Sequence, residues 1–385
     1  MYKQTNSSPV TGGRMRIEVC ASSKKTVFTV FRRLVVENRV KVGVIGLGFM
    51  GTTHFNIHRQ LGKSQIVAVS DVNESRLKGD WSSVVGNIGD SDYSKPVDMD
   101  GVKTYTDAMD LIADPNVDMV DICLPTFLHE KFAIAALKAG KHVFCEKPIG
   151  RDVSEARRIT EEAEKSKKFF MNGLCVRYWP EYRHAYELYT SGKLGSVISA
   201  TFKRVSPNIQ GNSWQDWFMK EELSGGALLD LHLHDTDLVR YFFGRPTSVT
   251  SFGTKGFRSD RGIDQVVTNY DFGDGSLIVA EGGWVSAKAA PFEMSFQIVC
   301  EKGTIRFSEL GYKVIYEDGR VEEPNPALAE LPTGWHVEID YFLSSILQGT
   351  KPDKYLSTAE MRDSLAIIEA EELSINEKRT VKIGY

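Results

Sequence analysis

The sequence contains no apolar run approaching the roughly 20 residues that a bilayer-crossing helix needs. It also contains no Cys-x-x-Cys pair. Its five cysteines, at 20, 123, 145, 175 and 300, are odd in number, and several lie in apolar, strand-like runs. That usage reads as buried free thiols in a reducing compartment, hence a cytoplasmic protein, and not as a disulfide framework. Charge of one sign is missing too: 47 Lys and Arg stand against 51 Asp and Glu, a net charge of −4. A nucleic-acid binder would carry a basic excess or stripe, so neither nucleic acid nor membrane is expected as a partner. What remains, over 385 residues with 42% hydrophobic and 25% charged side chains, is a globular composition with room for two or three domains.

Residues 1–39 stand apart. The first 40 residues hold eight Lys and Arg against two Glu. Their apolar stretch 27–36 is interrupted by Arg32 and Arg33, a poor signal-peptide core. The segment is read as a basic extension, disordered or foreign to the mature protein.

From Val40 the texture changes. Short apolar runs at 40–46, 66–70, 117–124 and 142–145 read as buried strands, and helical stretches separate them. Strand–helix alternation predicts a doubly wound parallel sheet, a Rossmann domain over 40–168. Past residue 168 the runs near 197–205, 247–256, 264–272, 276–284, 293–300 and 303–307 are β-like, with turn signals at Gly273-Asp274-Gly275 and Glu301-Lys302-Gly303. Helices are expected at about 179–191, 225–243, 334–349 and 356–377. Residues 169–385 therefore read as an α+β domain on a large, mostly antiparallel open sheet. Its uncovered face would be a natural surface for a homodimer or homotetramer.

Gly46-Leu47-Gly48-Phe49-Met50-Gly51 matches G-x-G-x-x-G between a strand and a helix. In that context the first glycine permits the tight turn, the second lets the main chain approach a pyrophosphate, and the third lets the helix pack on the strand. The pyrophosphate would meet free N–H groups at the helix start. Asp71 closes the second strand, 20 residues past Gly51. A carboxylate there accepts bonds from a ribose 2′-hydroxyl and repels a 2′-phosphate, so NAD is expected. Arg76 nearby leaves NADP open.

Three further segments complete a resemblance to the glucose–fructose oxidoreductase/inositol dehydrogenase (Gfo/Idh/MocA) family, from about Lys41 to the C-terminus. The segment 121–126, Asp-Ile-Cys-Leu-Pro-Thr, followed by His129, resembles that family's strand end beside the nicotinamide. Cys145-Glu146-Lys147-Pro148 resembles its Glu-Lys-Pro signature. Residues 225–237 resemble its Gly-Gly-x-x-x-Asp-x-x-x-His-x-x-Asp segment, with His232 where glycine is common. The resemblance implies that Leu124, Thr126, His129, Glu146 and Lys147 line the cofactor beside the glycine loop, and that the Glu-Lys-Pro triplet holds a cis peptide bond.

Oxidising a secondary alcohol leaves a hydroxyl proton that a positioned base must take. Lys147 is one candidate, at a cofactor edge where partial desolvation and a nearby positive ring favour the neutral amine. His234 is the second. Asp230, four residues earlier, would share its helical face, orient it and favour its charged form. Arg177, Tyr178, Trp214, Trp217 and His232 are expected to shape the substrate pocket. No metal is expected: of Asp230, His232, His234 and Asp235, only Asp230 and His234 share a helical face. The expectation is an NAD-dependent dehydrogenase or reductase acting on a sugar, inositol or sugar derivative. Two rivals stay open: an NAD-dependent glycosidase working by transient oxidation and elimination, and a non-catalytic NAD-binding regulator.

Overall fold

The computed structural model describes residues 39–86, 96–326 and 331–385. The basic extension, apart from Arg39, and Cys20 lie outside these residues. The chain opens with β1 (Val40–Ile45), a β-branched strand buried at five of six positions. The parallel strands β2 (Ser64–Ser70), β3 (Lys103–Tyr105), β4 (Met119–Ile122), β5 (His142–Glu146) and β6 (Phe170–Gly173) complete the first sheet, in the order β3-β2-β1-β4-β5-β6. The order reverses between β1 and β4, and ligands of such sheets bind in the crevice at the carboxyl ends of those strands. β6 pairs with β5. The first sheet thus runs past residue 168, where the domain junction was expected, because Phe170, Met171 and Asn172 extend its buried edge.

The second sheet has nine strands. They are β7 (Val197–Pro207), β8 (Ser248–Lys255), β9 (Ile263–Asp271), β10 (Leu277–Ser286), β11 (Glu293–Cys300), β12 (Gly303–Ser308), β13 (Gly311–Tyr316), β14 (Val321–Glu322) and β15 (Val381–Lys382). The order is β14-β13-β12-β11-β7-β10-β9-β8-β15, antiparallel except for β7 against β10. Alternation is plain in β7, where Ala200, Phe202 and Arg204 point into the core and Thr201 points out. The helices Pro180–Thr190, Leu233–Phe243 and Thr358–Glu377 cover the inner face. Phe252 and Val267 pair across β8 and β9 on the other face and remain exposed.

Two helices of the second half fasten it to the first. The helix Thr358–Glu377 starts with a capping box, Ser357 and Glu360 each bonding the other's main-chain N–H. It packs on the helix Val153–Lys165, where Arg362 donates to Thr160 Oγ1 at 2.8 Å. The helix Gly334–Gln348 packs on the helix Phe49–Gln60. Lys63 reaches Asp340 at 2.7 Å beside that contact.

Candidate active site

The glycine loop is built as its spacing requires. Gly46 has φ +90°, a left-handed conformation, and its N–H bonds Ser70 O at 2.8 Å. A Cβ on Gly51 would sit 1.7 Å from Gly46 O, so only glycine lets the helix meet the strand here. Among the described residues, a Cβ on Gly48 would meet nothing within 4 Å. The helix Phe49–Gln60 begins there with no side-chain cap and no acidic residue in its first turn. Open space over Gly48 against an uncapped helix start is a cradle for a diphosphate. Asp71 lies beside it: Oδ2 accepts Leu47 N–H at 2.6 Å and Oδ1 accepts Asn73 N–H at 2.8 Å. Arg76 approaches Asp71 at 3.8 Å. The residues present fit a nicotinamide dinucleotide with a free 2′-hydroxyl.

At the carboxyl end of β4, Leu124 packs against the glycine loop, and Thr126 Oγ1 is buried without a partner. His129 does not present a free nitrogen to a cofactor. It is fully buried, its Nδ1 lies 2.6 Å from Pro148 O, and its Nε2 lies 2.7 Å from Leu124 O. The ring ties the 124–126 turn to the Glu-Lys-Pro turn, whose Lys147–Pro148 bond is cis. The Glu146 carboxylate also faces inward: Oε2 accepts the Lys147 N–H at 3.0 Å, and Oε1 lies 3.1 Å from His54 Nε2 without an aligned hydrogen bond.

Lys147 projects toward residues 228–234. Its Nζ donates to the Asp230 main-chain oxygen at 2.6 Å and to Asp230 Oδ1 at 3.0 Å. Here the structure corrects the sequence reading, since Asp230 serves Lys147 and not His234. Residues Leu228–His232 form a π-helical turn before the α-helix Leu233–Phe243, and i→i+5 spacing breaks the i,i+4 alignment expected between them. His234 is buried with Nδ1 unpartnered. Burial first, then the charges of Lys147 and Arg204, push its pKa well below the ordinary value. The ring is therefore neutral, opposite to the expected imidazolium.

Three pocket assignments also change. The Arg177 guanidinium is fully buried, bound to both Asp237 oxygens at 2.7 Å and to Tyr355 O at 2.6 Å. No edge of it faces solvent. Tyr178 is buried and packs edge-on to Tyr355, because the turn Cys175–Tyr178 runs under the helix Gly334–Gln348. His232 points into the second domain, where Nε2 lies 3.3 Å from Tyr270 Oη and 3.4 Å from Glu371. A Cβ on Gly282 would come within 2.7 Å of its ring, so that glycine makes room for the imidazole. Trp214 is 48% exposed, and Trp217 stacks on Phe218 with centroids 4.2 Å apart.

Sequence reasoning missed His54, Asp121 and Glu338. His54 Nδ1 lies 3.0 Å from Asp121 Oδ2, which His58 Nε2 also meets at 3.0 Å. One signal was legible: a carboxylate in the middle of the apolar strand β4 demands a buried partner.

A dinucleotide cradle and an amine fixed at the adjoining strand end are the features a nicotinamide-binding fold would present at this crevice. A family model described as an oxidoreductase family with an NAD-binding Rossmann fold matches residues 40–174. A second, the GFO/IDH/MocA C-terminal domain, matches residues 182–306. The chain belongs to the Gfo/Idh/MocA oxidoreductases. It is 32% identical over 207 residues to myo-inositol 2-dehydrogenase of Thermotoga maritima, covering 53% of this chain and 55% of that protein. It is 25% identical over 329 residues to scyllo-inositol 2-dehydrogenase (NAD(+)) of Bacillus subtilis, covering 82% and 89%. The match thus spans about half of the first relative and most of the second. Among solved structures, levoglucosan dehydrogenase in complex with NADH and levoglucosan shares the fold, with a TM-score of 0.77 at 22% identity over 90% of this chain and all of that one.

Proposed function

We propose that the chain is an NAD-dependent dehydrogenase acting on a secondary hydroxyl of an inositol, a sugar or a sugar derivative. The observation that carries this reading is the grip of Asp230 on the Lys147 ammonium, 2.6 and 3.0 Å away, beside the unpartnered Nδ1 of the buried His234. Residues 46–51, Asp71, Leu124 and Thr126 would hold the dinucleotide, which when bound supplies the hydride acceptor. Lys147 binds the substrate hydroxyl, and its contact with Asp230 fixes where that hydroxyl sits. His234, kept neutral by burial and by the lysine's charge, takes the hydroxyl proton or holds it by a hydrogen bond as the alcohol becomes a carbonyl. The inositol dehydrogenases among its relatives favour a cyclic polyol.

The first domain, with β6 included, serves the cofactor, and the remainder serves substrate and self-association. Exposed Phe252 and Val267 fit a homodimer or homotetramer built on the open sheet face. Cys123, Cys145, Cys175 and Cys300 are unpaired, as in a reducing cytoplasm. No described helix is long and apolar enough to cross a membrane.

The test is an NADH-absorbance screen of inositols, aldoses, amino sugars and nucleotide sugars, with Lys147→Met in parallel. Accumulation of NADH with at least one polyol, lost in the variant, supports the reading. Release of phenol from an aryl glycoside without net NADH would replace it with the glycosidase.

A further inference from the structure

Next to the main chain of Lys147 lies a set of buried titratable side chains that the reaction above does not use. His54 and His58 come from the helix Phe49–Gln60, Asp121 from β4, Glu146 from the end of β5, and Glu338 from the helix Gly334–Gln348. All five are buried. His54 Nδ1 meets Asp121 at 3.0 Å, and Glu146 Oε2 accepts the Lys147 N–H at 3.0 Å. Between them His54 Nε2 lies 3.1 Å from Glu146 Oε1, an ion-pair distance at which neither atom completes a hydrogen bond. Asn172 pins the same turn, donating to Cys145 O at 2.9 Å and Glu146 O at 3.1 Å. Lys147 is thus held at two ends, its ammonium by Asp230 and its peptide by Glu146.

We propose that His54 is a positioning residue for Lys147, bridging the Asp121 and Glu146 carboxylates so that Glu146 keeps the Lys147 peptide in place. The inference rests on the reading of Lys147 as the amine that handles the substrate hydroxyl. Two carboxylates buried against one ring need a positive charge between them. Burial opposes that charge, yet Cys123 and Asp121 together hold the His54 pKa well above its ordinary value. Burial also keeps the Cys123 thiol protonated, so Asp121 is the anion that matters. Glu338 faces the same ring from the second domain, with both oxygens unpartnered. Burial, and then the Glu146 charge, push its pKa well up, so it adds no third anion near neutrality.

The same geometry argues against a metal. Ligand atoms of His54, Glu146 and Glu338 lie within 4.8 Å of one another, but a cation there needs the lone pair of an unprotonated Nε2. A ring flanked by two carboxylates keeps its proton instead.

The test measures the lysine without needing a substrate. Full-length protein with NADH bound is labelled with trace acetic anhydride across a pH series, and acetylation at Lys147 is read by peptide mass spectrometry. His54→Asn keeps an amide toward Asp121 and loses the reach to Glu146; His54→Gln restores the reach. In His54→Asn the uncompensated Glu146 carboxylate should move the labelling midpoint upward by about half a unit or more, with His54→Gln closer to wild type. Turnover should fall roughly tenfold with KM for NAD within about twofold, a split expected of misplacement and not of general loosening. Asp121→Asn removes an anion from the same set and should move the midpoint downward, opposite to His54→Asn, which covers the case of a His54 variant that fails to fold. An unmoved midpoint in the folded variants overturns the proposal, and so does stoichiometric zinc or manganese in the purified wild type. A shifted midpoint in a protein that oxidises no polyol would sink the dehydrogenase reading and leave the positioning intact.

Discussion

The Lys147 ammonium is bound twice by Asp230, through its main-chain oxygen at 2.6 Å and its carboxylate at 3.0 Å. One residue at the end of a parallel strand and one in a π-helical turn of the second domain thereby meet at the proposed site. Removing the amine should be costly. Lys147→Met is expected to lower kcat by about 100- to 10,000-fold while leaving NADH affinity, measured by fluorescence titration, nearly unchanged. Asp230→Asn keeps the carbonyl contact, so its loss should be smaller, roughly tenfold to a hundredfold.

The glycine loop separates folding from binding. Gly51→Ala drives a Cβ to 1.7 Å from Gly46 O, so its Tm should fall sharply. Gly48→Ala meets no atom of the described residues within 4 Å. It should melt within a degree or two of wild type yet bind NAD at least about tenfold more weakly, a difference near 1.4 kcal/mol. Calorimetric melting and NADH titration of both variants check this. Equal binding by Gly48→Ala and wild type would remove the diphosphate from that place.

Cofactor choice should turn on Asp71. Asp71→Ser removes the carboxylate that would repel a 2′-phosphate and frees Arg76, which approaches it at 3.8 Å. The ratio of kcat/KM for NADP over NAD is expected to rise by about tenfold or more. Part of the loss with NAD will come from the Leu47 N–H, which Asp71 also holds.

The pH dependence of stability follows from Glu338. In the unfolded chain this carboxyl ionises near its ordinary value of 4.5; in the fold, burial and then Glu146 hold the proton on to higher pH. Between those limits folding takes up a proton, so stability falls as pH rises, by up to about 1.4 kcal/mol per pH unit. His54, also raised, adds the same sign from 6.5 upward. Glu338→Gln abolishes the first contribution. Its Tm relative to wild type should climb as pH rises above the ordinary value of 4.5. Parallel curves would mean that Glu338 is ionised in the fold.

Arg177 is structural on this account. Arg177→Met leaves Asp237 buried without its guanidinium, at a cost of about 3–5 kcal/mol. The protein that remains folded should show an unchanged KM for substrate. A selective rise in KM would return Arg177 to the pocket.

Both sheets were legible because each uses its own period: continuous apolar runs such as Ile66-Val67-Ala68-Val69, against alternation such as Ala200, Phe202 and Arg204. The glycine loop, Asp71 and Lys147 were legible because each sits at a strand end beside its motif. The misreadings share a cause. Arg177 and Tyr178 have the composition of a sugar pocket, but the helix Gly334–Gln348, some 160 residues later, covers them. Asp230 and His234 have α-helical spacing, but the turn between them is π. The His54, Asp121 and Glu338 cluster joins positions that only the packing of two helices, 49–60 and 334–348, over β4 brings together.

Where a nicotinamide lies in this crevice is decided by a crystal structure of the protein with NADH and a bound polyol. The account expects the diphosphate over Gly48, with Lys147 Nζ and the His234 ring both within about 3 Å of one substrate hydroxyl and the nicotinamide against the adjoining carbon. A dinucleotide bound elsewhere, or a ring turned away from both nitrogens, would contradict it.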